Sequence, residues 1–344
     1  LQSDAVWFER HYDRAMSSTT RTALPLPVTL RYDLRSVPFG RPHSELYSAM
    51  IEQVRWADRV GAESVLFSEH HASADGYLPS PVIAAAVVAG ATSRVGILVS
   101  ALLLPLYDLV RLAEDLAVLD LASAGRVDLV IGAGYRPEEY ALHERNFAGR
   151  FAAIEHGVEF LRAAWTGTAT NADGEALPIT PMPLRPGGPR LMLGGSSPAS
   201  ARRAARIADG YFPVSSTLVQ PYLDACSELG RAPGPVRPAT GPMFVHVSED
   251  PDRTWPRIAE HALHETNSYG GWLAAAGDLG PYAQLDDADA VRDSGNYLVL
   301  TPDDCVALAR QQGHLTLHPL MGGLDPELAA ESLDLVESKV LPKL

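Results

Sequence analysis

Short Val/Ile/Leu-rich runs alternate with longer amphipathic stretches along nearly the whole chain, and this alternation decides the fold class. VTLRYDL (28–34) precedes SELYSAMIEQVRWADRVG, ESVLFSE (63–69) precedes PSPVIAAAVVAGATS, VGILVSALL (95–103) precedes DLVRLAEDLAVLDLAS, and RVDLVIGAG (126–134) leads to GRFAAIEHGVEFLRAAW. RLMLGG (190–195), YFPVS, PMFVHVS (242–248) and HLTLHPL (314–320) each lead into a further helical pattern. Strand, helix, strand in this order gives right-handed crossovers in a parallel sheet. Strands this apolar are buried on both faces, as in the wall of a closed ring. Eight units predict an α/β (β/α)8 TIM barrel over residues 28–344. An N-terminal arm (1–27) precedes it, and two Gly- and Pro-bearing segments, 166–189 and 266–301, interrupt the rhythm and are expected to be long loop insertions. An open doubly wound sheet would need a G-x-G-x-x-G turn after its first strand, and VTLRYDLRSVPFG has none; in IGAGYRP, Pro137 stands where the third glycine belongs.

The charge balance narrows the partners. Lys+Arg 28 against Asp+Glu 42 gives a net charge of -14, which opposes binding to nucleic acid or anionic membrane and favours a small-molecule substrate. Cys226 and Cys305 lie far apart with no metal or disulfide spacing. No apolar stretch is long enough to span a membrane and no signal peptide is visible, so a cytoplasmic location is expected.

Reacting groups in such barrels sit at the carboxyl ends of the strands. FSEHHASADGYLPSP places Ser68, Glu69 and His70 there on the second strand. Glu69 and His70 read equally well as a catalytic pair or as a rim carboxylate with space-filling histidines. Neighbouring side chains on an extended chain point apart, so His70 and His71 cannot both grip one metal ion, and no metal site is expected. HALHE sets His261 and His264 one helical turn apart but supplies no third ligand, and reads as an exposed polar helix face. A glycosidase pair would need Glu138 or Glu139, in the loop after the fourth strand, opposite Glu69. LGGSSPASARRAAR offers a phosphate site at a helix entrance, with Gly195, Ser196 and Ser197 at the turn; ordinary capping of a tight turn explains the same residues.

Taken together, SEHH, LPLYDLVRLAEDLAVLDLASAGRV, IGAGYRPEEY, LMLGGSSPASARRAARIADGYF and GGLDPELAAESLDLVESKVLP, in this order from about residue 28 to the C-terminus, resemble the bacterial luciferase-like flavin-dependent monooxygenase superfamily. The resemblance implies reduced FMN, supplied by a separate flavin reductase, or in some branches a reduced 5-deazaflavin. In the luciferase-type branch the reduced flavin reacts with O2 to give a C4a-hydroperoxide that oxygenates a small organic substrate. It implies that His70 is the catalytic histidine, with a non-prolyl cis peptide and bulge at Ser100 and Ala101 under the isoalloxazine. Ser196 matches a phosphate-binding serine, helped by Gly195 and Ser197, and Gly134 and Tyr135 join the cofactor wall. Ala133 departs from the luciferase pattern, which has an arginine there, so the phosphate's positive charge moves to Arg136 or Arg202. Tyr77, Asn267, Tyr269 and Trp272 are expected to face substrate or form a lid. A deazaflavin-dependent oxidoreductase and a non-catalytic flavin-binding homologue are the alternatives, and a homodimer is expected from the likeness.

Overall fold

The computed structural model describes residues 24–171, 173–237, 241–277 and 282–344; most of the expected N-terminal arm lies outside the described residues. The alternation is realised as β1 (Val28–Tyr32), α1 (His43–Val60), β2 (Ser64–Phe67), α2 (Pro81–Ala91), β3 (Gly96–Leu102), α3 (Leu109–Ala122) and β4 (Val127–Ile131). Next come α4 (Pro137–Leu142), α5 (Arg150–Thr166), β5 (Arg190–Gly195), α6 (Pro198–Ile207), β6 (Gly210–Pro213) and α7 (Val219–Glu228). The last third adds β7 (Phe244–Val247), α8 (Pro251–Ala275), α9 (Ala288–Asp293), β8 (Tyr297–Leu300), α10 (Pro302–Gln312), β9 (Leu315–Leu317) and α11 (Pro326–Leu335). Helix entrances are set locally: Asp108, Ser197, Asp250, Thr301 and Asp325 each accept a first-turn N–H, and a proline opens α2, α4, α6, α8, α10 and α11.

Seven strands form one parallel, curled sheet in the order β6-β5-β4-β3-β2-β1-β9, and β7 pairs with β8 alone. β7 packs beside β9 without a ladder between them. Alternate residues face opposite sides. Ile97, Val99, Leu129, Ile131, Leu191 and Leu193 join the main core under the helices, whereas Leu98, Val130 and Met192 form a separate cluster with Leu66, Ala101 and Phe212 on the other face.

The eight expected strands are all present, and a ninth, β8, falls inside what the sequence presents as the 266–301 insertion. That insertion is corrected at both ends. α8 continues to Ala275, because Ile258, Ala262, Glu265, Tyr269 and Leu273 keep a buried face at helical spacing through TNSYGG. Gly270 signals a close approach here and not a break: a Cβ on it would lie 2.7 Å from the Ala283 backbone. Within 166–189 the described residues hold only an isolated Thr170–Ala176 bridge, and Arg185 ties the segment down by donating to Asp120 and Asp128 at 2.9 Å.

Candidate active site

His70 leaves the end of β2 and enters a box of aromatic rings. The centroids of Tyr77 and Trp272 lie 4.9 Å from its ring, Tyr135 5.4 Å and Tyr269 5.9 Å. Tyr77 comes from the β2–α2 connection, Tyr135 follows β4, and Tyr269 and Trp272 descend from α8 as a roof. Only 7% of His70 remains exposed. The Tyr77 and Tyr269 hydroxyls are 2.6 Å apart.

The carboxylate that reaches this histidine is Glu139, 2.7 Å from its Nδ1. It lies on the short helix α4, where the sequence suggests a loop. Glu139 Oε1 also accepts the His71 N–H at 3.0 Å and faces Arg136 Nη1 at 3.4 Å. Burial works to raise the Glu139 pKa, but His70, the His71 N–H and Arg136 outweigh it and hold the carboxyl below its usual range. Burial in the box lowers the His70 pKa, and Arg136 and Arg35 add to that against the opposing pull of Glu139. The pair therefore rests as carboxylate and neutral imidazole, with Nδ1–H donating to Glu139. Nε2 is left as an acceptor facing the Tyr135 hydroxyl at 3.2 Å.

Glu69 points elsewhere. Its Oε2 accepts the Leu103 N–H at 2.8 Å, and its Oε1 meets the Tyr107 hydroxyl at 2.8 Å and His71 Nε2 at 2.9 Å. It braces the ends of β2 and β3, and Glu69 and His70 do not meet. Asn267 also turns away from the box, bonding both the carbonyl (3.0 Å) and the N–H (2.7 Å) of Leu285. Arg136 donates to the His71 carbonyl at 2.7 Å and lies 4.2 Å from the Trp272 ring centroid, so it belongs to the box and is not free for a phosphate. Arg202 is exposed. His261 and His264 are not an exposed helix face: His261 is buried against the Gly322 carbonyl at 2.7 Å, and His264 contacts Asp75 at 2.7 Å.

The ends of β3, β4 and β5 present a run of small, partly exposed residues: Ser100, Ala101, Ala133, Gly134, Gly194 and Gly195. The Ser100–Ala101 peptide is cis and the β3–β4 register shifts between Ser100 and Leu102, the local geometry the resemblance implies. Close packing keeps Gly195 and the neighbouring Gly132 small, since a Cβ on Gly132 would sit 2.7 Å from that of Ala101, and one on Gly195 would sit 2.1 Å from Ser200 Oγ. At the α6 entrance Ser197 and Ser200 form a reciprocal capping box, Pro198 has no N–H, and the Ala201 N–H reaches the Ser197 carbonyl at 3.2 Å. Ordinary capping thus occupies Ser197. The Ser196 and Ala199 N–H groups and the exposed Ser196 hydroxyl remain at this turn for an anion.

The sequence reading missed a buried polar layer beside the box. Arg31 donates to the Tyr282 and Tyr269 hydroxyls at 3.2 and 3.1 Å, and Arg35 pairs with Asp75 at 2.6 Å while lying 5.4–5.6 Å from the Tyr77, Tyr269 and Trp272 ring centroids. The signal was available: Arg31, Asp33 and Arg35 stand at alternate positions of an apolar strand and its exit, which puts three charges on one face.

A family model described as luciferase-like monooxygenase matches residues 34–311. Among curated proteins, an uncharacterized protein of Sinorhizobium fredii is 33% identical over 90 residues, covering 26% of each chain. An F420-dependent glucose-6-phosphate dehydrogenase of Amycolatopsis mediterranei is 29% identical over 185 residues, 51% of this chain and 56% of that one. The oxygenase component of a flavin-dependent trigonelline monooxygenase of Acinetobacter baylyi is 28% identical over 165 residues, 45% of each. The matched stretches thus span only 26% to 56% of these relatives' own lengths. Among solved structures, the monooxygenase RslO1 of Streptomyces bottropensis superposes with a TM-score of 0.75 at 22% identity over 92% of this chain and 99% of that one. The FMN complex of the oxygenating constituent of 3,6-diketocamphane monooxygenase of Pseudomonas putida gives 0.67 at 20% identity over 93% and 99%. These two show a shared fold.

Proposed function

Because the chain belongs to the luciferase-like monooxygenase family, we propose that it is a flavin-dependent monooxygenase that takes reduced FMN from a separate reductase and uses O2 to oxygenate a small organic substrate. The observation that carries this reading is the presentation of His70 Nε2, fixed through Nδ1 by Glu139 (2.7 Å), beside the Tyr135 hydroxyl (3.2 Å), together with a side formed by small, partly exposed residues at the ends of β3, β4 and β5. A flat ring system fits such a side. When bound, the reduced flavin supplies two electrons, so that one atom of O2 enters the substrate and the other leaves as water.

The chain's own residues do the rest. Ser100, Ala101, Gly134 and Tyr135 bound the cofactor, and Ser196 with the Gly195–Ala199 turn meets its phosphate at the N-terminus of α6. His70 accepts or returns a proton at Nε2, while Glu139 keeps the tautomer and Arg136 keeps Glu139 ionised. Tyr77, Tyr269 and Trp272 exclude water above the imidazole and wall the substrate side. Glu69 acts as a brace.

The relatives include F420-dependent enzymes, which makes a deazaflavin-dependent oxidoreductase the second reading. Anaerobic equilibrium dialysis against reduced FMN and against reduced deazaflavin, followed by admission of O2, separates the two. Tight FMN binding with O2 consumed to yield oxygenated substrate supports the proposal. Preferential deazaflavin binding with O2-independent oxidation supports the second reading, and tight binding without turnover on any substrate supports a storage protein. A His70→Ala chain that binds flavin and turns over like the parent removes the catalytic assignment.

A further inference from the structure

Below the roof, five polar atoms in one cluster lack a hydrogen-bond partner among the described residues: Asp33 Oδ2, both carboxylate oxygens of Glu265, and both ring nitrogens of His318. The three residues come from the end of β1, from α8 and from the end of β9, and all are 0% exposed. His318 lies between the acids, with Nε2 3.4 Å from Asp33 Oδ1 and Nδ1 3.7 Å from Glu265 Oε1. Donor atoms of all three lie within 4.8 Å of one another, yet the arrangement does not suit a cation. The two carboxylates address different nitrogens of one ring, whereas a metal would need them to converge with a single nitrogen. Arg31 Nη2, 3.6 Å from Glu265 Oε1, already brings a positive charge to that side.

The charges do not balance without a proton. Asp33 and Glu265 bring two negative charges and Arg31 one positive, while Arg35 is matched by Asp75 at 2.6 Å. One net negative charge in a fully buried group is strongly unfavourable, and one added proton removes it. We propose that Asp33, His318 and Glu265 bind one shared proton, and that this proton holds α8, with Tyr269 and Trp272, closed over His70. Glu265 and His318 are in this sense positioning residues for the roof. The inference concerns α8 alone and holds whichever cofactor the site takes.

Other groups facing the cluster bear on its titration. Arg31 and Arg35 approach from β1 and its exit, Tyr269 from α8, Tyr282 from the segment after it, and Tyr297 from β8; all feel Asp33 or Glu265. Burial pushes the Glu265 pKa up, with Asp33 adding to that against His318 and Arg31. Burial pushes Asp33 the same way, but His318, Arg35 and Arg31 outweigh it and hold Asp33 low. The shared proton therefore belongs to the Glu265 side of the cluster. The sign follows: the closed roof keeps its full stability below the ordinary carboxyl range and loses it as pH rises to the raised folded-state titration of Glu265. His264 is a second tie on α8, 2.7 Å from Asp75, and the test must tell the two apart.

Hydrogen exchange of the α8 amides from Thr266 to Leu273, corrected for intrinsic rate and followed from about pH 6 to about pH 9, reads the linkage directly. The expected result is that protection in the parent falls by about tenfold per pH unit between the open-state and closed-state titrations, the slope of one proton, and levels off above the latter. In Glu265→Gln the slope vanishes; in His264→Gln it persists. Protection in the parent that does not change with pH overturns the proposal, as does a slope that survives in Glu265→Gln or disappears in His264→Gln. A stoichiometric metal released on denaturation of the purified chain also overturns it. If Glu265→Gln fails to fold, His264→Gln decides alone: a slope that persists there cannot come from the His264–Asp75 tie, and one that disappears overturns the proposal.

Discussion

Replacing Glu139 by Gln tests the arrangement around His70 most sharply. The carboxylate oxygen at 2.7 Å from Nδ1 also takes the His71 N–H and faces Arg136, and glutamine keeps an acceptor in place while removing its charge. A hydrogen bond to a charged group contributes about 1.5–3 kcal/mol, against about 0.5–1.5 kcal/mol for a neutral one. The difference, about 1–1.5 kcal/mol, equals about one pK unit at 1.36 kcal/mol per unit. The His70 pKa, already lowered by burial, should fall by about one further unit. The glutamine NH2 can also donate to Nδ1, so the single tautomer gives way to a mixture. Arg136, 7% exposed, is left without its anion, and the loss of a buried partner costs about 3 kcal/mol of stability. Nitrogen-15 NMR titration of histidine-labelled protein, with His70 assigned by its absence in His70→Ala, reads both tautomer and pKa. Glu69→Gln serves as the control, since Glu69 touches Leu103, Tyr107 and His71 but not His70. If Glu139→Gln leaves the His70 titration and tautomer unchanged, or Glu69→Gln shifts them equally, the assignment of Glu139 is wrong.

Acid should destabilise the chain in two steps. Both His70 and Glu139 have folded-state pKa values below their ordinary 6.5 and 4.5, so the unfolded chain binds more protons and stability falls first below about pH 6.5 and again below about pH 4.5; urea midpoints across pH check this, and the first step should be smaller but still present in His70→Ala, because burial also lowers His246 and His261. Trp272→Ala removes the ring over Arg136 and, because the ring is only partly buried, should lower stability by no more than about 3 kcal/mol, the lower end for a fully buried ring, with a larger change in KM than in kcat, measurable once a substrate is known. Gly188→Ala should cost about 3 kcal/mol or more in urea unfolding, because φ is +86° and the new Cβ would lie 2.1–2.8 Å from the Trp165 ring. Gly61→Ala, at φ +84° with nothing within 4 Å, should cost only about 1–2 kcal/mol; equal losses at the two positions would show that backbone strain, and not the close approach, sets the cost.

The barrel-like sheet was legible because every strand but one is a buried apolar run followed by a helix of opposite pattern. β8 escaped because YLVL sits among Gly-, Asp- and Ser-rich residues that read as loop. α8 was cut short for a related reason: two adjacent glycines in TNSYGG suggest a break, and only the close approach of the Ala283 backbone explains Gly270 inside a helix. At the site, His70 could be placed from its position at a strand end, and Tyr77, Tyr135, Tyr269 and Trp272 do gather around it. Glu139 could not be paired with His70, since a contact across 69 residues leaves no local pattern. Glu69 was favoured only for being adjacent, although neighbours on an extended chain point apart. The same rule, applied to Arg31, Asp33 and Arg35, would have revealed the polar layer, while Glu265 and His318 join it only through the tertiary fold.

The most direct measurement is a crystal structure of the chain grown anaerobically with reduced FMN. The expected result is a flavin ring against Ser100, Ala101 and Gly134, its phosphate at Gly195 and Ser196, and His70 Nε2 facing the ring with Glu139 still on Nδ1. Flavin bound on another surface, or a mouth that stays filled by Tyr77, Tyr269 and Trp272 with no flavin in it at saturating concentration, would contradict the proposal.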